Sequence, residues 1–174
     1  MNKILIGFGS KAQIGKDFAV ISLKKAGYDV ERVAFADELK KDVATLFSRN
    51  GLDFDELMKD PAKKELIRPL LVSYGQIMRE FDPDIWVNKA LKDKERKHQI
   101  TAVTDVRFPN EVIALKKMGG IYIDIQAKVE PVNEVERQNS ALLYHMADVK
   151  ITNDFTPLFP SLVTDLVELL LTDS

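Results

Sequence analysis

ILIGFGSKAQIGKD, residues 4–17, sets an apolar run, a glycine-bearing loop and a lysine in immediate succession. Ile4–Phe8 reads as a buried strand. Phe18, Val20, Ile21 and Leu23 then recur at helical spacing as far as Gly27. A strand that passes through such a loop into a helix presents main-chain N–H groups and the helix dipole to an anion. Lysine at the helix start adds a full positive charge. The stretch therefore points to phosphate binding and to a nucleotide-handling enzyme, with Lys16 expected to lie exposed in the loop. A plain strand-to-helix turn with a surface lysine is the competing reading.

The pattern to compare is G-x-x-x-x-G-K-[ST], the Walker A loop. Gly15 and Lys16 fall in register, but Ser10 takes the first glycine position and Asp17 takes that of the magnesium-binding hydroxyl. Asp17 could reach the metal directly or through water, or cap the helix.

At 174 residues the chain is expected to form one domain with a substantial core. Hydrophobic residues make up 45% and charged residues 30%, a composition of ordinary globular proteins. A formal net charge of −2 argues against a broad nucleic-acid-binding surface. The absence of cysteine excludes disulfides, thiol nucleophiles and cysteine-ligated metals. The first apolar run is too short for a signal peptide. Leu158–Leu171 is too short to span a bilayer and carries Asp165 and Glu168. A cytoplasmic protein without membrane association is the expectation. The sequence admits a homodimer.

Strands are expected at Ile4–Phe8, Val30–Ala36, Ile100–Val103, Ile121–Ile125 and Val149–Ile151. Helical patterns separate them, including Asp37 to about Arg49, one starting near Pro69, and one from Trp86 to Lys97 after Asp82-Pro83-Asp84. Pro109 suits the first position of a helix that stops at Gly119-Gly120. A last helix begins at about Pro157. This alternation implies an α/β fold with a largely parallel sheet of about five strands flanked by helices. The helices between the second and third strands and Val129–Met146 stand outside the alternation, the latter stretch being polar, irregular or weakly helical.

Three constellations could carry chemistry. From Pro69 onward, Leu71, Tyr74, Met78 and Phe81 form an apolar stripe, while Arg68, Val72, Gly75 and Arg79 form another. Two guanidinium groups flanking a glycine suit a phosphate. Solvated arginines paired with Glu65 and Glu80 are the plainer alternative. Pro69 would place Arg68 at the helix edge. In TDVRFPNE, residues 104–111, Asp105 and Arg107 sit at the carboxyl end of a strand, where open α/β sheets bind ligands. Asn110 and Glu111 are also good first-turn residues. Asp37, with Lys40 one turn later, is the third candidate, and Asp is also a common N-cap. Trp86 is a core residue or a stacking platform. His98 and His145 are isolated and lack metal-ligand spacing.

SKAQIGKD, FADELK, RPLLVSYGQIMREFDPDIWV and TDVRFPNEVIALKKMGG, with a closing VKITND, resemble the phage-type deoxynucleoside monophosphate kinases, a branch of the P-loop kinase superfamily. The likeness runs in order from residue 4 to about 170, and that family has GKD where other P-loops have GK[ST]. It implies a P-loop NTPase-like sheet with a helical acceptor-binding insert at about 50–97 and a lid at about 127–147. It implies ATP-dependent phosphorylation of a deoxynucleoside monophosphate to the diphosphate, with Mg2+. Lys16, Asp105 and Arg107 would be catalytic. Ser10, Lys11, Ala12, Gln13, Ile14, Gly15, Lys16, Asp17 and Phe18 would hold the ATP phosphates, with Asn153 near the adenine. Asp17 and Asp105 would hold magnesium. The acceptor would meet Asp37, Lys40, Arg68, Val72, Gly75, Arg79 and Trp86. Lys128 and Arg137 would be the lid cations.

The chain departs from that family at Ser10 and Phe18, for glycine and threonine, at Val72 for glutamine, and at Ala141 for the glutamate of a Ser-Glu pair. After the fourth strand Gln126-Ala127-Lys128 stands where an arginine is usual. These departures open a second reading, a weak or inactive nucleotide-binding relative acting through a partner. A third is a P-loop kinase of another small phosphorylated metabolite.

Overall fold

The computed structural model describes residues 2–9, 11–92 and 95–172. Along the chain come β1 (Ile4–Gly9), α1 (Lys16–Lys25), β2 (Val30–Val33), α2 (Phe35–Ser48), α3 (Phe54–Lys59), α4 (Pro61–Phe81) and α5 (Ile85–Leu91). They are followed by β3 (Ile100–Val103), α6 (Pro109–Lys117), β4 (Ile121–Gln126), α7 (Glu134–Met146), β5 (Val149–Thr152) and α8 (Leu158–Thr172). The chain divides into two compact units, Met1–Ala34 with Asp93–Ser174, and Phe35–Lys92.

The first unit is built on a parallel sheet whose described strands run in the order β2-β3-β1-β4-β5. β1 is central and buried along its whole length, as a strand covered on both faces requires. Ile4, Ile6 and Phe8 point to one side, where they pack with Val20 and Leu23 of α1 and with Val163 and Val167 of α8. On the other side Gly7 makes room for Leu115 of α6, and α6 packs beside α7. β1 leads through α1 toward β2, whereas β4 leads through α7 to β5 on the opposite side. The connections thus wind in opposite senses on either side of the β1–β4 boundary, which opens a crevice beyond the carboxyl ends of these two strands. The expected P-loop kinase-like parallel α/β fold is present.

The second unit is helical. Val43, Phe54 and Ile67 form its buried centre, flanked by Leu71 and Tyr74. It begins at Phe35, so α2 belongs with the helices expected from about residue 50. β2 is correspondingly shorter than Val30–Ala36, and Asp37 is the third residue of α2 rather than its cap.

Three helices differ from the sequence reading. α4 starts at Pro61, where Asp60 accepts the N–H groups of Ala62 and Lys63 at 2.9 and 3.3 Å, and it continues through Pro69. Arg68 therefore lies within a helix. Pro69 adds no N–H to the ladder, a loss tolerated on a flank where Glu65 and its neighbours face water. The apolar stripe also ends early, because Phe81 is 82% exposed. α5 stops at Leu91, well short of Lys97. By contrast α7 is regular, because Asn133 caps it by accepting the N–H of Glu136 at 2.8 Å. No helix among the described residues is long and apolar enough to cross a membrane.

Candidate active site

The loop between β1 and α1 owes its shape to two residues with positive φ, Gln13 at +58° and Gly15 at +95°. Gly15 is the N-cap of α1 and makes no side-chain cap bond, so the first N–H groups of the helix face the crevice without one. Ser10 lies outside the described residues. Asn153, just past β5, donates its side-chain amide to the Ile14 carbonyl at 3.0 Å and accepts the N–H of Phe155 at 2.8 Å. A Cβ on residue 15 would lie 2.4 Å from Asn153 Nδ2. Glycine is thus required there by conformation and by space. Asn153 does border the nucleotide loop, but its amide holds main chain rather than facing outward to a base.

Lys16 is buried, at 7% exposure, which corrects the expectation that it lies exposed. Its ammonium donates to the Lys11 carbonyl inside the loop. Burial, then the Arg107 charge, lower its pKa to about 8, outweighing the opposite pull of Asp105, Glu136 and Asp17. Lys16 therefore lies within electrostatic reach of Asp105 and Arg107. Glu111 of α6 is buried, and its carboxylate accepts the N–H groups of Arg107 and Phe108 at 2.7 and 3.0 Å. That fixes the main chain carrying Arg107, so Glu111 has a positioning role.

The loop's donor set suits a polyphosphate: a buried lysine, an uncapped helix start and a guanidinium. For magnesium the fit is conditional. Among the described residues no group of three or more carboxylates and histidines gathers to hold a metal. Magnesium usually takes one or two carboxylates and fills its shell with phosphate oxygens and water. Asp105 and Asp17 can serve in that way alongside bound phosphates. Asp17 is exposed and now pairs with Arg32 at 2.9 Å.

Beside the loop lies a cavity of about 700 Å³ lined by Gln13, Lys16, Phe18, Asn153, Phe155 and Pro160 among others. Phe18 stacks on Phe159 with centroids 6.4 Å apart, leaving 44% of itself exposed. Phe18 in place of threonine thus supplies an aromatic wall. Phe155 and Pro160 were absent from the sequence reading. The local signal was the Asn153-Asp154 pair, whose side chains turn the chain back at Phe155 and Thr156.

In the stretch expected to form a lid, Lys128 is exposed and lines a hollow of about 370 Å³ with Gln126 and Phe155. Arg137 is held by Glu134 at 2.6 Å on the exposed start of α7. Ala141 borders a smaller hollow with Lys11. Glu136, which sequence reasoning passed over, is buried, and one carboxylate oxygen accepts the N–H of Ala12 at 2.9 Å. Asn133-x-x-Glu136 is the N-cap and third-position pattern that could have marked it.

The candidate acceptor residues sit in the helical unit. Arg68 pairs with Glu65 at 2.9 Å, as the plainer alternative anticipated. Arg79 donates to the Gly75 carbonyl at 3.3 Å. Gly75 is no open anion patch: a Cβ there would come within 2.5 Å of Leu39 Cδ1, so glycine serves the packing of α4 on α2. Trp86 is 1% exposed and donates its indole N–H to the Gly75 carbonyl, which makes it core and removes it as a stacking platform. Val72 is 61% exposed, and Asp37 pairs with Lys40 at 3.2 Å.

A family model described as phosphomevalonate kinase matches residues 8–120. Among solved structures the chain is similar to dephospho-CoA kinase from Campylobacter jejuni, with 11% identity and a TM-score of 0.50 over 99% of both chains. It is also similar to shikimate kinase from Aquifex aeolicus, with 15% identity and a TM-score of 0.45 over 98% of this chain and 97% of that one. A search of curated proteins finds no match in sequence. The C. jejuni likeness speaks for the fold alone.

Proposed function

From the premise that the chain belongs to the phosphomevalonate kinase family, we propose that it transfers the terminal phosphoryl group of ATP to a small phosphorylated metabolite. The observation that carries this reading is the buried Lys16 at the uncapped start of α1, within the electrostatic reach of Asp105 and Arg107. Phosphoryl transfer asks chiefly for in-line positioning and for neutralisation of charge on the transferring group. Lys16 and the loop N–H groups would hold the ATP phosphates. Arg107 would neutralise charge as it moves, and Asp105 with Asp17 would orient magnesium, which offsets negative charge on the phosphates when bound. An acceptor phosphate oxygen would attack the terminal phosphorus, and ADP would leave.

For the acceptor, the resemblance carried by TDVRFPNE and DPDIWV favours a deoxynucleoside monophosphate, converted to its diphosphate. The family match favours phosphomevalonate as the second reading. Both acceptors are phosphate monoesters and both products are diphosphates, so the same site chemistry serves either.

The test is a coupled ADP-release assay with ATP, magnesium, the four deoxynucleoside monophosphates and phosphomevalonate, with Lys16→Ala as control. Turnover on a deoxynucleotide, lost in the control, is expected. Turnover confined to phosphomevalonate would replace the acceptor assignment. Silence on all five, with ATP binding still measurable by calorimetry, would favour a nucleotide-binding relative without kinase activity.

A further inference from the structure

Glu136 is the third residue of α7, yet its carboxylate bonds almost entirely outside that helix. One oxygen accepts the N–H of Ala12, in the phosphate loop, at 2.9 Å and the Arg107 guanidinium at 3.2 Å. The other accepts the N–H of Val132 at 2.7 Å. The residue is 7% exposed. An anion held by a main-chain N–H of this loop and by the guanidinium beside it is bonded as a phosphate group would be. Lys11 reaches the same segment, with its ammonium 3.3 Å from the Val129 carbonyl. Lys16 meanwhile turns its ammonium onto the Lys11 carbonyl.

We propose that Glu136 is a resident stand-in for a nucleotide phosphate: its carboxylate occupies part of the loop's donor set, and an incoming polyphosphate must displace it. This rests on the reading that the loop binds nucleotide phosphates. Two anions cannot share the Ala12 N–H and the same edge of Arg107 without strong repulsion. Loading the loop therefore releases the start of α7 from its anchor. The helix keeps its beginning, because Asn133 still accepts the Glu136 N–H at 2.8 Å. What changes is where the lid is tied. A carboxylate that merely caps α7 would stabilise the helix and would not compete with anions, which separates the two roles.

The experiment is calorimetric titration of the full chain with sodium tripolyphosphate, wild type against Glu136→Gln. Glutamine keeps the size and an accepting oxygen but loses the charge. The variant is expected to bind at least fivefold more tightly. Equal or weaker binding by a folded variant would overturn the stand-in role while leaving the phosphate loop in place. Silence in both proteins would overturn the phosphate-loop reading and this proposal with it. Hydrogen exchange on the wild type needs no variant to fold. Tripolyphosphate is expected to slow exchange in residues 11–17 and to speed it in 132–136. Slower exchange in both segments would overturn displacement.

Discussion

The side-chain amide of Asn153 donates to the main-chain carbonyl of Ile14 at 3.0 Å, joining the loop after β5 to the loop after β1. Both partners are buried, so neither can turn to water if the other is lost. Asn153→Ala leaves the Ile14 carbonyl and the Phe155 N–H without this partner, at about 1–3 kcal/mol for a buried polar group. Urea denaturation should show that loss, and ATP binding should weaken with it. An unchanged urea midpoint would mean that the loop holds its shape without Asn153.

Gly15→Ala meets the same contact from the other side. Alanine at a φ of +95° is strained by about 1–3 kcal/mol, and its Cβ would strike the Asn153 amide. In the Gly15→Ala/Asn153→Ala double variant that collision disappears. The combined loss should fall short of the sum of the single losses by roughly 0.5–3 kcal/mol, the usual size of coupling between touching residues. Simple additivity in the same denaturation assay would deny the contact.

Lys16 gives a pH signature. Its folded pKa of about 8 lies below the ordinary 10.5, so between these values the unfolded chain holds a proton that the folded chain lacks. Stability from this group therefore rises with pH from about 8 to 10.5 and is least below 8. Lys16→Met should be more stable than wild type at pH 7, and the difference should shrink by pH 9.5. It should also have no turnover. Tripolyphosphate binding to the wild type near pH 8 should take up protons, read by calorimetry in buffers of different ionisation enthalpy.

Arg79 and Trp86 should separate in kinetics. Arg79→Ala is expected to raise the KM of the phosphorylated acceptor tenfold or more while leaving that of ATP nearly unchanged. Equal effects on both would remove Arg79 from acceptor binding. Trp86→Phe removes the indole bond to the Gly75 carbonyl, at about 1 kcal/mol, and should leave the acceptor KM as it was.

The sheet was legible because parallel strands covered on both faces read as near-continuous apolar runs, as Ile4–Phe8 does and as Ile100–Val103 does but for Thr101. The resemblance grouped Lys16, Asp105 and Arg107, and Asp105 with Arg107 also stood out at a strand's carboxyl end, where such sheets bind ligands. Burial of Lys16 was not legible, since residues from distant segments crowd it. Pro69 misled for a local reason: the strong start at Asp60-Pro61 carries α4 through it. The role of Gly75 depended on where Leu39 falls, and that of Glu136 on which loop α7 begins beside. Neither is written in spacing along one helix.

Ile4 finds its sheet neighbour at Ile100, and Ile6 finds its other neighbour at Ile121. A chain made from its N-terminus at about 5–20 residues per second exposes this greasy strand for roughly 5–20 s before either edge partner exists. The helices of Phe35–Lys92 are contiguous in sequence and emerge inside that interval. They can settle on local contacts while the strand waits, so the nascent chain carries a folded middle before it has a sheet. Ile4–Gly9 is then the segment a chaperone has most reason to hold.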